Sequence, residues 1–164
     1  MSTMLSTTSQ YALRALSYLA ALSGEPVLGR DLADSVEIPA NYLQKVLLTL
    51  RNAGLVTTAR GSGGGYRLGK PPEQIHLMDV VELFEEISRT RPPCFLGRTR
   101  TCSESTPCTA HSAWRDLQAA YLQFLLSTPL SAIAGNPDEF WTSSGQKREP
   151  HSQPERITHP GEYK

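Results

Sequence analysis

The stretch Leu55-Val56-Thr57-Thr58-Ala59-Arg60-Gly61-Ser62-Gly63-Gly64-Gly65-Tyr66-Arg67-Leu68 holds two short strand-like arms around a tip with four glycines in five residues. Glycine adopts the positive backbone angles of a tight tip and lets a backbone approach another molecule closely, so the segment reads as a hairpin. Upstream, Ala12, Leu13, Leu16, Leu19, Ala20 and Ser23 recur at three-and-four spacing, which predicts a first core helix over residues 8–23 capped by Thr8 or Ser9. After the Gly24-Glu25-Pro26 break, residues 29–36 read as a short second helix with Leu32, Ala33 and Val36 inward; Ile38-Pro39 ends it, because a residue before proline avoids helical geometry. A third helix is expected over 40–53, with Leu43, Val46, Leu47 and Leu50 as its apolar stripe and Gly54 as its stop. Helix, short helix, longer helix and basic hairpin is the order of a winged helix-turn-helix, a mainly α fold. Its third helix enters the major groove, and its wing lies along phosphates or in the minor groove.

Downstream, Pro71-Pro72 closes the wing, and residues 76–87 read as a fourth helix with Val80, Val81, Leu83, Phe84 and Ile87 mostly inward. A cysteine-bearing loop follows. The longest helix is expected over 109–127, capped by Thr109, with Ala110, Ala113, Trp114, Leu117, Ala120, Tyr121, Phe124 and Leu125 along one broad face. That face is wider than one small domain needs. A second subunit's equivalent helix would cover it in a symmetric dimer through residues 109–127; the alternative is packing back onto the first helix. Past Gly135 the chain turns to Pro, Ser, Gly, Gln and mixed charge, the composition of a disordered tail, with Phe140-Trp141 as its apolar pair. The expected organisation is a winged domain over 1–88, a cysteine-rich loop over 89–108, a dimerisation helix over 109–134 and the tail over 135–164.

Composition bounds the class. A 39% hydrophobic content supports a globular fold. The apolar run 15–22 is broken by Ser17 and too short for a bilayer, and no targeting leader precedes Tyr11, so no membrane partner and a cytoplasmic location are expected. Net charge is zero, yet residues 39–70 carry Lys45, Arg51, Arg60, Arg67 and Lys70 and no acidic group. Such a span fits phosphate binding as well as an ordinary solvated surface. An enzyme is not expected: no paired carboxylates or activated nucleophile stand out, and the glycines at 61–65 lack the lysine-serine ending of a phosphate loop.

All three cysteines fall with one histidine inside eighteen residues, at Cys94, Cys102, Cys108 and His111. An odd count argues against a disulfide framework and for thiolate ligands or a reactive thiol. Three thiolates and an imidazole suffice to hold a two-iron cluster at four points, the histidine shifting its potential and pH sensitivity. A helix starting at Thr109 would favour thiolate at Cys108. Zinc is a second candidate, although gaps of seven and five residues exceed the spacing of ordinary zinc-binding pairs. A thiol switch without a cluster is a third. The class alternative to a DNA-binding sensor is therefore a winged-helix interaction module with a zinc-binding or thiol-switch loop.

Over roughly residues 4–134 the chain resembles the iron-sulfur-cluster winged-helix regulators typified by IscR and NsrR. The resemblance rests on Tyr11-Ala12-Leu13-Arg14-Ala15-Leu16, Tyr42-Leu43-Gln44-Lys45, Arg51-Asn52-Ala53-Gly54-Leu55-Val56, the wing Arg60-Gly61-Ser62-Gly63-Gly64-Gly65-Tyr66 and the cysteine loop. The run Cys108-Thr109-Ala110-His111-Ser112-Ala113-Trp114-Arg115-Asp116-Leu117 is most similar to the IscR branch. There, a histidine three residues after the third cysteine completes the ligand set, which implies a 2Fe-2S cluster on Cys94, Cys102, Cys108 and His111. This sequence departs from the pattern in four places. Its first cysteine gap is longer than is common and carries Arg98 and Arg100, which implies a more open pocket. Gln10 stands where the NsrR branch presents an acidic ligand, Ser62 where proline is frequent, and Gln44 where some relatives have glutamate.

On the third helix Asn41, Gln44, Lys45, Thr49 and Arg51 are expected opposite the apolar stripe. Asn41, Gln44 and Lys45 suit base-edge acceptors of duplex DNA. The resemblance implies that Arg60, beside Gly61 on the wing, reaches the minor groove; Arg51, Arg67 and Lys70 suit phosphates. Tyr42 is read as core.

Overall fold

The computed structural model describes residues 5–22, 24–59, 61, 64–87, 94–97 and 102–135. Arg60, Ser62, Gly63, Arg98, Arg100 and residues 136–164, with Phe140 and Trp141, lie outside them. Three helices, α1 (Thr7–Ala21), α2 (Gly29–Ser35) and α3 (Ala40–Asn52), precede a hairpin of β1 (Val56–Ala59) and β2 (Gly65–Leu68). A 3-10 turn (Pro72–Gln74), α4 (Leu77–Val81), α5 (His111–Ser127) and a second 3-10 turn (Leu130–Ala132) follow. This is the winged helix-turn-helix order.

The core forms where the apolar stripes of the first three helices meet. Leu16 and Leu19 of α1, Leu32 of α2, and Leu43, Leu47 and Leu50 of α3 are all buried there. The cap of α1 is Ser6, not Thr8 or Ser9: its hydroxyl accepts the Ser9 amide at 3.2 Å. Ser9 is itself buried, and the Thr8 hydroxyl lies 2.6 Å from that of Tyr42, so neither side chain is left to cap. Between α2 and α3 the turn closes with the Ile38 amide donating to the Ala33 carbonyl at 3.0 Å, across Glu37 at a φ of 52°. A left-handed glutamate gave no sequence signal, since glycine or asparagine usually occupies that position. Gly54, at a φ of 74°, ends α3 as expected.

The wing pairs antiparallel, with Val56 opposite Leu68 and Ala59 opposite Gly65. Its return strand is also fixed to the helical body, because Val27 and Tyr66 exchange amide-to-carbonyl bonds of 2.9 and 2.7 Å. A Cβ on Gly65 would lie 2.3 Å from the Val27 carbonyl oxygen, so only glycine permits that approach.

Two further expectations change. The fourth helix stops at Val81 instead of reaching Ile87, and the Leu83 and Phe84 amides turn to the carbonyls three residues back. Glu82, Glu85 and Glu86 crowd negative charge where the helix dipole disfavours it, and the Glu85 carboxylate accepts the Ser6 amide at 2.8 Å, drawing the chain toward the start of α1. Leu83 is consequently exposed. At the other end, α5 begins at His111, with Ala110 in the cap position and no side-chain cap, so Thr109 does not cap it.

After α5 the chain returns to the winged domain. The Leu77 amide donates to the Thr128 carbonyl at 3.0 Å and the Leu130 amide to the Ile75 carbonyl at 2.7 Å; Leu130 is fully buried in the main core. Leu125 and Tyr121 pack in a second cluster against Leu77, Val81 and Leu13. The C-terminal half of α5 thus packs on α4 and α1, while Leu117 and Phe124 stay about half exposed, at 52% and 50%. Leu130→Ala is expected to lower unfolding free energy by about 2–5 kcal/mol, as for other buried leucine truncations, read from a urea titration followed by circular dichroism.

Candidate metal centre and nucleic-acid interface

Two short turns bring the cysteines together. In the first, the Gly97 amide donates to the Cys94 carbonyl at 2.9 Å, with Gly97 at a φ of 71°. In the second, Ser103 and Thr106 exchange amide-to-carbonyl bonds of 3.3 and 3.2 Å, and the Ser103 hydroxyl lies 2.9 Å from those of Ser105 and Thr106. This self-satisfied turn folds most of the gap between Cys102 and Cys108 out of the way. The three sulfurs consequently lie within 4.8 Å of one another, and Cys94 Sγ is 3.8 Å from Cys108 Sγ. No disulfide joins them.

His111 stands beside this trio, not within it. Its Nδ1 lies 3.2 Å from Cys102 Sγ, while Nε2 is buried without a hydrogen-bond partner, 3.6 Å from Glu104 Oε2. The other Glu104 oxygen faces Arg115 Nε at 3.7 Å, and Phe95 packs on Trp114 with ring centroids 5.4 Å apart. Glu104, Arg115 and Phe95 therefore tie the loop to α5. Sequence reasoning missed all three, because their partners depend on how the loop folds. The Cys108 amide draws the Cys102 thiol pKa down, but burial and the neighbouring Cys108 and Cys94 thiols raise it more, and the net direction is upward.

The donor set suits a soft cation or cluster: three sulfurs in mutual reach, an imidazole nitrogen directed at one of them, and a carboxylate near its far nitrogen, the usual outer partner of a metal-bound histidine.

On α3, Asn41, Gln44, Lys45 and Arg51 are all exposed, as expected. Thr49 is not: it is half-buried, and its hydroxyl donates to the Lys45 carbonyl at 3.3 Å. In its place Leu48, absent from the expected exposed set, is 49% exposed. Its spacing of seven from Asn41 and four from Gln44 was the available signal. Tyr42, read as core, is instead exposed on the first turn of α3, its ring edge-on to Tyr11 with centroids 5.5 Å apart, and it braces α3 against α1. On the wing, Gly61 and Arg67 are exposed, as is Lys70 beyond it.

Residues 5–136 match the profile of the Rrf2 family, described as an iron-dependent transcriptional regulator. The chain belongs to the Rrf2 family. Among Rrf2 relatives, NsrR of Bacillus licheniformis is 37% identical over 131 residues, covering 79% of this chain and 91% of that one. IscR of Cronobacter sakazakii is 32% identical over 149 residues, 90% of each. Of solved structures, CymR, the global cysteine regulator of B. subtilis, superposes with a TM-score of 0.66 at 29% identity over 81% of this chain and 97% of that one. T. potens IscR superposes with a TM-score of 0.61 at 27% identity over 81% and 87%. These Rrf2 relatives are transcriptional regulators, so this chain is a DNA-binding regulator and not an enzyme. Among the described residues no helix is long and apolar enough to cross a membrane.

Each thiol must lose its proton to ligate a cation, and a raised thiol pKa makes that harder as pH falls. Cobalt(II) added to the reduced, metal-free protein should release protons and bind progressively more weakly from mildly alkaline to mildly acidic solution, with the thiolate charge-transfer band as readout.

Proposed function

We propose that this protein is a homodimeric, cytoplasmic transcriptional regulator that senses iron-sulfur cluster status, redox stress or nitric oxide. Cys94, Cys102, Cys108 and His111 would hold a 2Fe-2S cluster, as in the IscR branch. The observation that carries the reading is the convergence of three sulfurs within 4.8 Å, with His111 Nδ1 3.2 Å from Cys102 Sγ, at the first turn of α5. When bound, the cluster supplies an iron centre that oxidants and nitric oxide alter. The rest falls to the chain. Phe95 against Trp114 and Glu104 against Arg115 link the loop to α5. The exposed stripe Ala113, Leu117, Ala120 and Phe124 suits the same helix of a second subunit. Ligation would order the loop and set the spacing of two recognition helices, which must meet half-sites about 34–36 Å apart.

In this reading Asn41, Gln44 and Lys45 contact base edges, while Arg51 and Arg67 contact phosphates. Arg60 and Gly61 would carry the wing's contact with the minor groove. A single zinc ion is the second reading. It is favoured by the 3.8 Å separation of Cys94 and Cys108 sulfurs, which fits two ligands on one ion at about 2.3 Å each.

Purification without air, followed by a visible spectrum with iron and sulfide analysis, tests the choice. Equal iron and sulfide with charge-transfer bands is the expected result; a colourless protein containing zinc would move the assignment to the second reading. Alanine at Cys94, Cys102 and Cys108 together should change duplex affinity at some target sites, and unchanged affinity at every site would remove the sensing role. In a salt titration, Arg67→Ala should weaken binding to all sequences alike and lower the slope of log affinity against log salt by about 1. Gln44→Ala should instead relax specificity at one base pair, by about 1–3 kcal/mol.

A further inference from the structure

Leu48 is the residue on the recognition face that a solvated surface does not explain by charge or polarity. It lies on the exposed stripe of α3, four residues after Gln44 and three before Arg51, and is 49% exposed although its neighbours Leu47 and Leu50 are fully buried. With Gln44, Leu47, Arg51 and Tyr66 it lines a shallow cavity of about 200 Å³ between the recognition helix and the wing. Tyr66 is held there by the paired bonds to Val27, so the apolar floor is fixed before any partner arrives. In the major groove, thymine alone among the four bases offers an apolar group, its C5-methyl. Cytosine presents an amino donor there, and leucine has no acceptor for it.

We propose that Leu48 is a specificity-determining contact that takes up a thymine C5-methyl group in each half-site, Gln44 and Lys45 reading polar edges of neighbouring bases. The proposal rests on the DNA-binding reading of α3 and adds an apolar element to it.

The test uses the full chain, purified without air, to select duplexes from a random library. In the enriched duplex each thymine is replaced in turn by deoxyuridine, which lacks only the methyl group, and affinity is measured by fluorescence anisotropy for the wild type, Leu48→Ala and Leu48→Met. At one thymine per half-site the wild type should lose about threefold to fivefold on demethylation, the scale of one buried methyl group. Leu48→Ala should bind the methylated duplex more weakly and be indifferent to demethylation there, while Leu48→Met should keep most of the sensitivity. Equal losses for wild type and Leu48→Ala at every thymine would overturn the proposal and leave the DNA-binding reading intact. Failure to enrich any duplex would instead remove that reading, and this proposal with it.

Discussion

The paired backbone bonds between Val27 and Tyr66 are the contact on which the remaining geometry rests. A two-stranded hairpin is marginal by itself, because each strand leaves one edge unpaired and little apolar surface covered. Joining the return strand to the segment ahead of α2 turns the wing into part of the body. Gly65 permits the approach, and a side chain there would collide with the Val27 carbonyl. Tyr66 then lines one cavity with Gln44, Leu47, Leu48 and Arg51 of α3, so the fixed return strand sets one wall of the space beside the recognition helix.

The order of α1, α2, α3 and the hairpin was legible because each depends on local periodicity and on glycine or proline stops: Leu43, Val46, Leu47 and Leu50 repeat at helical spacing, and Gly54 ends the run. Errors arose where a distant partner decided the outcome. Ser6 caps α1 because Ser9 is buried and Thr8 is engaged with Tyr42, neither of which a linear pattern records. Residues 82–87 have the apolar spacing of a helix, yet their acidic crowding and the Glu85 bond to the Ser6 amide end α4 early. The metal-binding candidates were legible as a cluster in sequence. Their supporting residues were not, since Glu104 finds His111 and Arg115 only after the Ser103–Thr106 turn has formed.

Burial along α5 is uneven. Leu125 alone among its residues is fully enclosed, and the chain beyond it returns to bury Leu130 among residues of α1 to α4. The broad apolar face read from sequence is therefore divided, part of it covered within the chain and the stripe through Leu117 and Phe124 left in solvent. Tyr121 and Leu125 meet Leu13 of the first helix together with Leu77 and Val81, so the expectation of a partner subunit bears on the remaining stripe alone.

That division gives α5 a mechanical character. Seventeen residues of helix extend about 25 Å. The far end is pinned by Leu125 and Leu130, whereas the near end bears His111 and meets the cysteine loop at Phe95, Cys102 and Glu104. A rigid rod held at one end behaves as a lever. Rearrangement of the loop would be felt least at the pivot and most at the tip, so displacement along the exposed stripe would grow in proportion to distance from the anchored end.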